Sequence, residues 1–248
     1  DNDGIIVLCY HRVLKDTVIT NFAYSISHNS QLHEYNVFLQ DFEQQMTFLK
    51  KNHIKVLTSS ELIEKLNKKE VIGKAVVVTF DDIDKSLPEN AYPIMKKLDL
   101  PFTQFIITGK VGQTIDGSQM STWKEIKKMN ENPLVTSGLH TNDLHYQENF
   151  EPILSTNISK KVVQKDYQKS QKAFDEKLDQ KGKVFAYPYG AQNKDLEDYM
   201  LQDGIQGIFT LSPGVVTNET PYSNIPRLIV TKDNWKTIKH WLLSEGAQ

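Results

Sequence analysis

The chain has 248 residues, 39% of them apolar and 24% charged, and a formal charge of −2. That is enough material for one large α/β domain or two small ones, and the near-neutral, interspersed charge gives no footing for nucleic acid. The single cysteine, Cys9, excludes an internal disulfide and a cysteine-based zinc site, and no apolar run reaches the roughly 18 residues of a membrane span.

Apolar, β-branched runs alternate with amphipathic stretches along the chain, the signature of repeated β-then-α units. The first strand, Ile5–Cys9, runs into Tyr10-His11-Arg12. Residues 16–36 are polar and aromatic without clean periodicity, and read equally as surface decoration or disorder and as a substrate-contacting loop. Leu39–Lys51 carries Phe42, Met46 and Leu49 at helical steps. Lys55–Leu57 is a short strand, and Thr58-Ser59-Ser60-Glu61 is a capping box opening a helix through Leu62–Leu66. The strand Ala75–Phe80 runs straight into Asp81 and Asp82. Asn90–Leu98 is helical, with Pro93 bending it or delaying its start. After the strand Phe102–Ile107, a second capping box, Thr122-Trp123-Lys124-Glu125, opens a helix to Asn130. Leu134–Leu139 is a strand that runs into His140-Thr141-Asn142-Asp143-Leu144-His145. Residues 146–157, with Pro152, read as a long loop, and Ile158–Leu178 as the longest helix. Lys160 to Lys183 is lysine-rich but broken by Asp166, Asp175, Glu176 and Asp179, which reads as a solvated helix face. Lys183–Tyr187 is a strand ending in Pro188-Tyr189-Gly190. The helix Leu196–Leu201, with Gly204 as its C-cap, precedes the strands Gly207–Thr210 and Arg227–Val230 and the last helix, Asn234–Leu243.

These are seven or eight β-then-α units with no Pro/Gly-rich linker and no internal repeat, so residues 1–248 are expected to form a single domain, an α/β fold of the distorted (β/α) barrel type. A doubly wound open sheet is the alternative, although GxGxxG and P-loop patterns are both missing.

In such sheets function sits at the carboxyl ends of the strands. Four ends carry groups that can do chemistry. Adjacent residues of a strand point to opposite faces, but a strand that is already turning can deliver both Asp81 and Asp82 to one rim. One carboxylate can then bind a metal while the other accepts a proton. Asp82 with His140 and His145 would make a three-ligand set with positions left for water and substrate. The same trio suits zinc hydrolysis or ferrous oxygen chemistry, so it does not name the reaction. The turn at Tyr189 offers backbone N–H groups to a developing oxyanion, and His11 stands where a rim acid or base would. Each has a bland reading: Asp-Asp as a turn or cap, a lone His as a core residue, Pro-Gly as a turn.

Taken together and in order, the four elements resemble the NodB-type polysaccharide deacetylases, carbohydrate esterase family four. Thr79-Phe80-Asp81-Asp82 matches the family's first motif, His140-Thr141 through His145 resembles the second, and Pro188-Tyr189-Gly190 the third. There are departures. The histidines are five apart rather than four, Phe185 stands where the family has an arginine, and Ile83 stands where a glycine usually follows Asp-Asp. The histidine-bearing segment that usually lies near the C-terminus is here Tyr10-His11-Arg12-Val13 at the start. That order is similar to the subgroup acting on poly-β-1,6-N-acetylglucosamine in biofilms.

The resemblance implies a fold, a reaction and roles. Asp82, His140 and His145 would hold a divalent metal, zinc (Zn) or a relative such as Co or Ni. Asp81 would be the general base, His11 the acid that protonates the leaving amine, and the Tyr189 N–H an oxyanion donor. Arg227 is the candidate to orient Asp81 in place of the missing arginine, with an ordinary strand-end arginine as the alternative. Trp123 and Tyr146 are candidate sugar-stacking walls, and Trp235 and Trp241 candidate core residues. The implied substrate is poly-β-1,6-N-acetylglucosamine, with chitin oligomers or peptidoglycan as alternatives within the same chemistry. Two further readings are a non-catalytic sugar-binding barrel and an unrelated metal hydrolase or oxygenase. The chain opens on Asp1 rather than Met, through a removed signal peptide or trimming. A secreted, monomeric, cell-surface-associated protein is expected.

Overall fold

The computed structural model describes residues 3–16 and 35–245. Of the irregular stretch 16–36, residues 17–34 lie outside the described residues. The expected strands all form, most with ends shifted by a residue or two: β1 (Gly4–Tyr10), β2 (Lys55–Leu57), β3 (Lys74–Asp82), β4 (Phe102–Ile106), β5 (Val135–Leu139), β6 (Val184–Ala186), β7 (Gly207–Phe209) and β8 (Leu228–Ile229). They make one sheet in the order β7-β6-β5-β4-β3-β1-β8, every neighbour parallel, with β2 paired to β3 off that path.

Two features curl the sheet. One edge of β3 is shared: its first half pairs with β2, Lys55↔Ala75 to Leu57↔Val77, and its second with β4, Thr79↔Thr103 to Asp82↔Ile106. At the far end, the segment before β8 hydrogen-bonds to β7, Ile225 N to Ile208 O at 2.9 Å and Thr210 N to Ile225 O at 2.9 Å, before Leu228 and Ile229 pair with β1. One short segment thus reaches both edges of the curled sheet.

Side chains alternate across each strand. Ile5, Val7, Ala75, Val77, Phe105, Val184, Ala186 and Phe209 fill the inside of the curl. Ile6, Leu8, Val76, Val78 and Phe80 face outward under the helices. Both faces are covered, which is why these strands read as continuous apolar runs.

The helices are α1 (Leu39–Lys51), α2 (Ser59–Lys68), α3 (Tyr92–Lys97), α4 (Trp123–Asn130), α5 (Lys160–Leu178), α6 (Lys194–Gln202) and α7 (Lys232–Leu243). Both expected capping boxes are present, Thr58 with Glu61 and Thr122 with Glu125. Pro93 lies in the first turn of α3, where a missing N–H does no harm, behind a π-type turn at Leu87–Ala91. Gly204, at φ 91, follows α6 in the left-handed conformation of a helix stop. The stretch 146–157 is more ordered than a plain loop. It holds a hairpin, Gln147–Glu148 with Glu151–Pro152, because Asn149 and Phe150 take φ 50 and 64, the left-handed values that a two-residue turn needs. Among the described residues no helix is long and apolar enough to cross a membrane.

Candidate active site

The carboxyl ends of β1, β3, β5 and β6 meet at one rim, and the alternation along β3 decides what each carboxylate does there. Ala75 and Val77 face the inside of the curl, so Thr79 and Asp81 continue that face upward and Asp81 becomes its top layer. There it is buried, at 2% exposure. Arg227, itself 1% exposed, grips it from the segment entering β8. Nη1 donates to Oδ1 at 2.7 Å and Nη2 to Oδ2 at 2.8 Å. The guanidinium is fixed in turn by Nε donating to Thr210 O at 2.9 Å and Nη1 to Thr79 Oγ1 at 3.1 Å. Cys9 Sγ donates to Asp81 Oδ2 at 3.7 Å, and His11 Nε2 lies 3.8 Å from the same oxygen. Burial pushes the Asp81 carboxyl up, but Arg227, with His140 and His11, outweighs it and holds the group at about 2. Burial likewise pushes the Cys9 thiol up, so it stays a protonated donor.

Asp82 should by alternation face the helices. A γ-turn redirects it: Ile83 N donates to Asp81 O at 2.9 Å while Asp82 sits at φ 73. Ile83 follows at φ 66, unusual for a β-branched side chain, and its own side chain is buried. This is the position where the family pattern has glycine.

The histidines converge on Asp82. His140 Nδ1 lies 2.6 Å from the Ala186 carbonyl at the end of β6. A carbonyl only accepts, so Nδ1 carries the proton and Nε2 presents its lone pair. Asp82 Oδ1 is 3.2 Å from His140 Nε2 and 3.0 Å from His145 Nε2. The ligand atoms of the three residues lie within 4.8 Å of one another. Asp82 Oδ1 and His140 Nε2 are buried with no hydrogen-bond partner. An orphaned imidazole nitrogen and an orphaned carboxylate oxygen facing each other, with a second imidazole nitrogen 3.0 Å from that oxygen, are what a divalent metal satisfies. The residues present therefore fit a metal, with a third buried orphan, His11 Nδ1, beside the site. Burial opposes ionisation of Asp82, yet the neighbouring histidines hold its carboxyl well below the usual range.

His11 stacks on Tyr35, ring centroids 4.5 Å apart at 20°. Burial lowers its pKa against the pull of Asp82 and Asp81. Tyr189, at φ 58 within the Pro188–Gly190 turn, lays its ring 4.7 Å from that of His145. The structure thus brings together Asp81, Asp82, His140, His145, His11, Arg227 and Tyr189. It does not bring in the two aromatic walls. Trp123 opens α4 and packs against the core, and neither it nor Tyr146 is among the residues lining the pocket. The walls are instead Tyr35, Ile107, Ile115 and Met120, with Ile115 and Met120 contributed by the segment around the hairpin Thr114–Ile115/Ser118–Gln119. Arg12 ties the rim to that hairpin by a hydrogen bond to Ser118 Oγ. Trp235 and Trp241 pack against the core, as their spacing in the last helix indicated.

Two further carboxylates lie buried around the site. Asp84 is buried in the pocket wall, where Ser86 Oγ donates to its Oδ1 at 2.6 Å, and burial raises it to about 6. Its only signal is its place two residues beyond Asp82. Asp166, expected on a solvated helix face, is not solvated. It is buried, because it turns inward from α5 to accept two backbone hydrogen bonds.

Residues 68–208 match the family described as polysaccharide deacetylase. Over 241 residues, 96% of this chain and 83% of the relative, the sequence is 34% identical to the poly-beta-1,6-N-acetyl-D-glucosamine N-deacetylase of Staphylococcus aureus strain NCTC 8325. The protein of the same name from Staphylococcus epidermidis is 32% identical over 97% of this chain and 84% of its own length. Among solved structures, IcaB from Ammonifex degensii superposes with a TM-score of 0.85 at 31% identity, covering 98% of both chains. The Streptococcus pyogenes deacetylase PplD, in complex with acetate, shares the fold at a TM-score of 0.80 and 21% identity, over 98% of this chain and 100% of that one.

Proposed function

Because this chain belongs to the polysaccharide deacetylase family, we propose that it removes N-acetyl groups from poly-β-1,6-N-acetyl-D-glucosamine, releasing acetate and leaving a partly cationic polymer. The observation that carries the reading is the split between neighbours. Asp82 Oδ1 faces two imidazole nitrogens at 3.0 and 3.2 Å, while Asp81 is held apart by Arg227 at 2.7 and 2.8 Å. On this reading one carboxylate would serve as a metal ligand and the other, held by Arg227, would move a proton.

Asp82, His140 and His145 would hold a divalent transition metal, zinc in this reading, which when bound would supply Lewis acidity to the amide carbonyl and lower the pKa of a water. The fork from Arg227 keeps Asp81 ionised and aimed, so its carboxylate takes the proton of the attacking water. His11, its Nε2 3.8 Å from Asp81 Oδ2, stands beside this base as the acid. The water oxygen bonds to the carbonyl carbon, the developing oxyanion takes the Tyr189 backbone N–H, and the carbon–nitrogen bond breaks as His11 gives its proton to the sugar nitrogen. Acetate leaves and the amine stays on the polymer. Acting on an exported polymer, the protein works outside the membrane, secreted and associated with the cell surface. The amines it creates are largely protonated at mildly acidic pH and bind anionic surface polymers in a biofilm.

The test is acetate and amine release from a defined β-1,6-N-acetylglucosamine oligomer, using metal-stripped protein, zinc-restored protein and Asp81→Asn. Zinc-dependent release that Asp81→Asn lowers by about 10²- to 10⁴-fold is the expected result. Release only from chitin oligomers or peptidoglycan would overturn the substrate. No release from any of the three, with zinc bound, would overturn the reaction.

A further inference from the structure

His140 and His145 are separated by a loop with no regular secondary structure, so local backbone periodicity does not determine where the second imidazole stands. Thr141 adopts φ 67, a strained value for a β-branched residue, which the surroundings must hold in place. The peptides that follow are pinned from both sides. On one side, Thr108 N donates to Thr141 O at 3.2 Å and Gly109 N to Asn142 O at 2.9 Å. The approach is close enough that a Cβ on Gly109 would lie 2.3 Å from Asn142 O. On the other side, the amides of Asn142 and Asp143 donate at 2.8 Å each to Oδ1 and Oδ2 of one carboxylate, Asp166, reaching in from α5. Lys160, Lys161, Lys165 and Lys169 of the same helix are exposed, whereas Asp166 is 8% exposed.

We propose that Asp166 is a positioning residue for the metal centre: its carboxylate clamps the backbone between His140 and His145 and so sets where His145 stands opposite Asp82. A carboxylate is suited to this because both its oxygens accept, and two successive N–H groups are what it is offered. The clamp also explains how a spacing of five serves here. The extra residue is taken up in a loop held between the Thr108 and Gly109 amides on one side and Asp166 of α5 on the other. Asp166 touches neither substrate nor metal and acts through His145. The inference rests on the metal reading above.

The experiment measures the zinc dissociation constant by chelator competition, with far-UV circular dichroism and melting of the metal-free protein alongside. Asp166→Asn keeps one acceptor oxygen but turns an amide NH2 toward a backbone N–H. The folded variant is expected to bind zinc about 10- to 100-fold more weakly. Its deacetylation should recover toward the parent rate as zinc is raised, because no reacting group is changed. A folded variant that melts lower but binds zinc with the parent constant would show a purely structural role and overturn the proposal. Should Asp166→Asn not fold, Asp166→Glu, which keeps charge and both acceptors but displaces them by one methylene, makes the same comparison. Parent protein that takes up no zinc, or whose zinc binding survives Asp82→Ala, overturns the metal reading itself, and the Asp166 assignment falls with it.

Discussion

Arg227→Ala separates what the guanidinium does for charge from what it does for geometry. The substitution removes both donors from an Asp81 that is 2% exposed, and water has little room to replace them. Removing one partner of a buried pair costs about 3–5 kcal/mol. Expressed on the carboxyl at about 1.36 kcal/mol per pH unit, that raises Asp81 by roughly two to four pH units from its starting point of about 2. The group therefore stays mostly ionised at pH 7, and loss of charge alone lowers the rate by less than about tenfold. Loss of aim is larger, since a misplacement of about 1 Å costs about 10²-fold. The expected result is a kcat about 10²-fold lower, an Asp81 titration displaced upward by carbon NMR of labelled aspartate, and zinc affinity within about threefold of the parent. At about 2–4 °C per kcal/mol, the melting temperature should fall by about 6–20 °C. Arg227→Lys should restore the titration better than the rate, because an ammonium returns the charge without the fork. If Arg227→Ala kept the parent Asp81 titration and kcat, the pairing would be a structural ion pair and the argument would fail.

Three further outcomes follow from the same geometry. His11→Ala should lower turnover by about 10²- to 10⁴-fold while leaving zinc stoichiometry unchanged, and loss of zinc instead would make His11 a ligand. For Asp84, burial raises the folded carboxyl to about 6 against an ordinary 3.8, so the native state binds the proton more readily. Metal-free protein should thus gain stability as pH falls through 6 toward 4, by at most roughly 3 kcal/mol, and Asp84→Asn should flatten that slope in melting experiments; an unchanged slope would assign it to another group. Ile83→Gly relieves a left-handed backbone cost of about 1–3 kcal/mol. It also deletes a buried side chain worth about 2–5 kcal/mol, so the variant should melt lower, and a higher melting temperature would show that the strain is the larger effect.

The fold was legible because strands and helices here carry different periods. β1 and β3 read as unbroken apolar runs since both their faces are covered, and α2 and α4 announce themselves by capping boxes at Thr58 and Thr122. What local pattern does not encode is where chain direction changes by backbone conformation. The hairpin at Asn149 and Phe150 depends on two positive φ values, one at an aromatic residue that no turn preference favours, so residues 146–157 read as loop. Trp123 shows a different limit. An aromatic beside a capping box occupies the start of a helix, and whether it faces the rim or the core is decided by packing.

The site divides along the same line. Groups that act at strand ends could be found because a strand's end is visible in sequence. Arg227, 146 residues from Asp81 along the chain, could be nominated only because Phe185 left the carboxylate without the family's arginine. The tertiary structure then supplies the partner from the segment that joins both edges of the sheet. Asp82 needed the reverse inference. Strand alternation alone sends it to the wrong face, and only the γ-turn through Ile83 returns it to the rim, with a residue that the usual glycine would not have strained. Asp166 had no such signal, since an aspartate among lysines has the composition of a solvated helix face. Its two backbone hydrogen bonds exist only where α5 crosses the loop from His140 to His145, so the candidate ligands could be read in the chain while the group proposed to fix their separation could not.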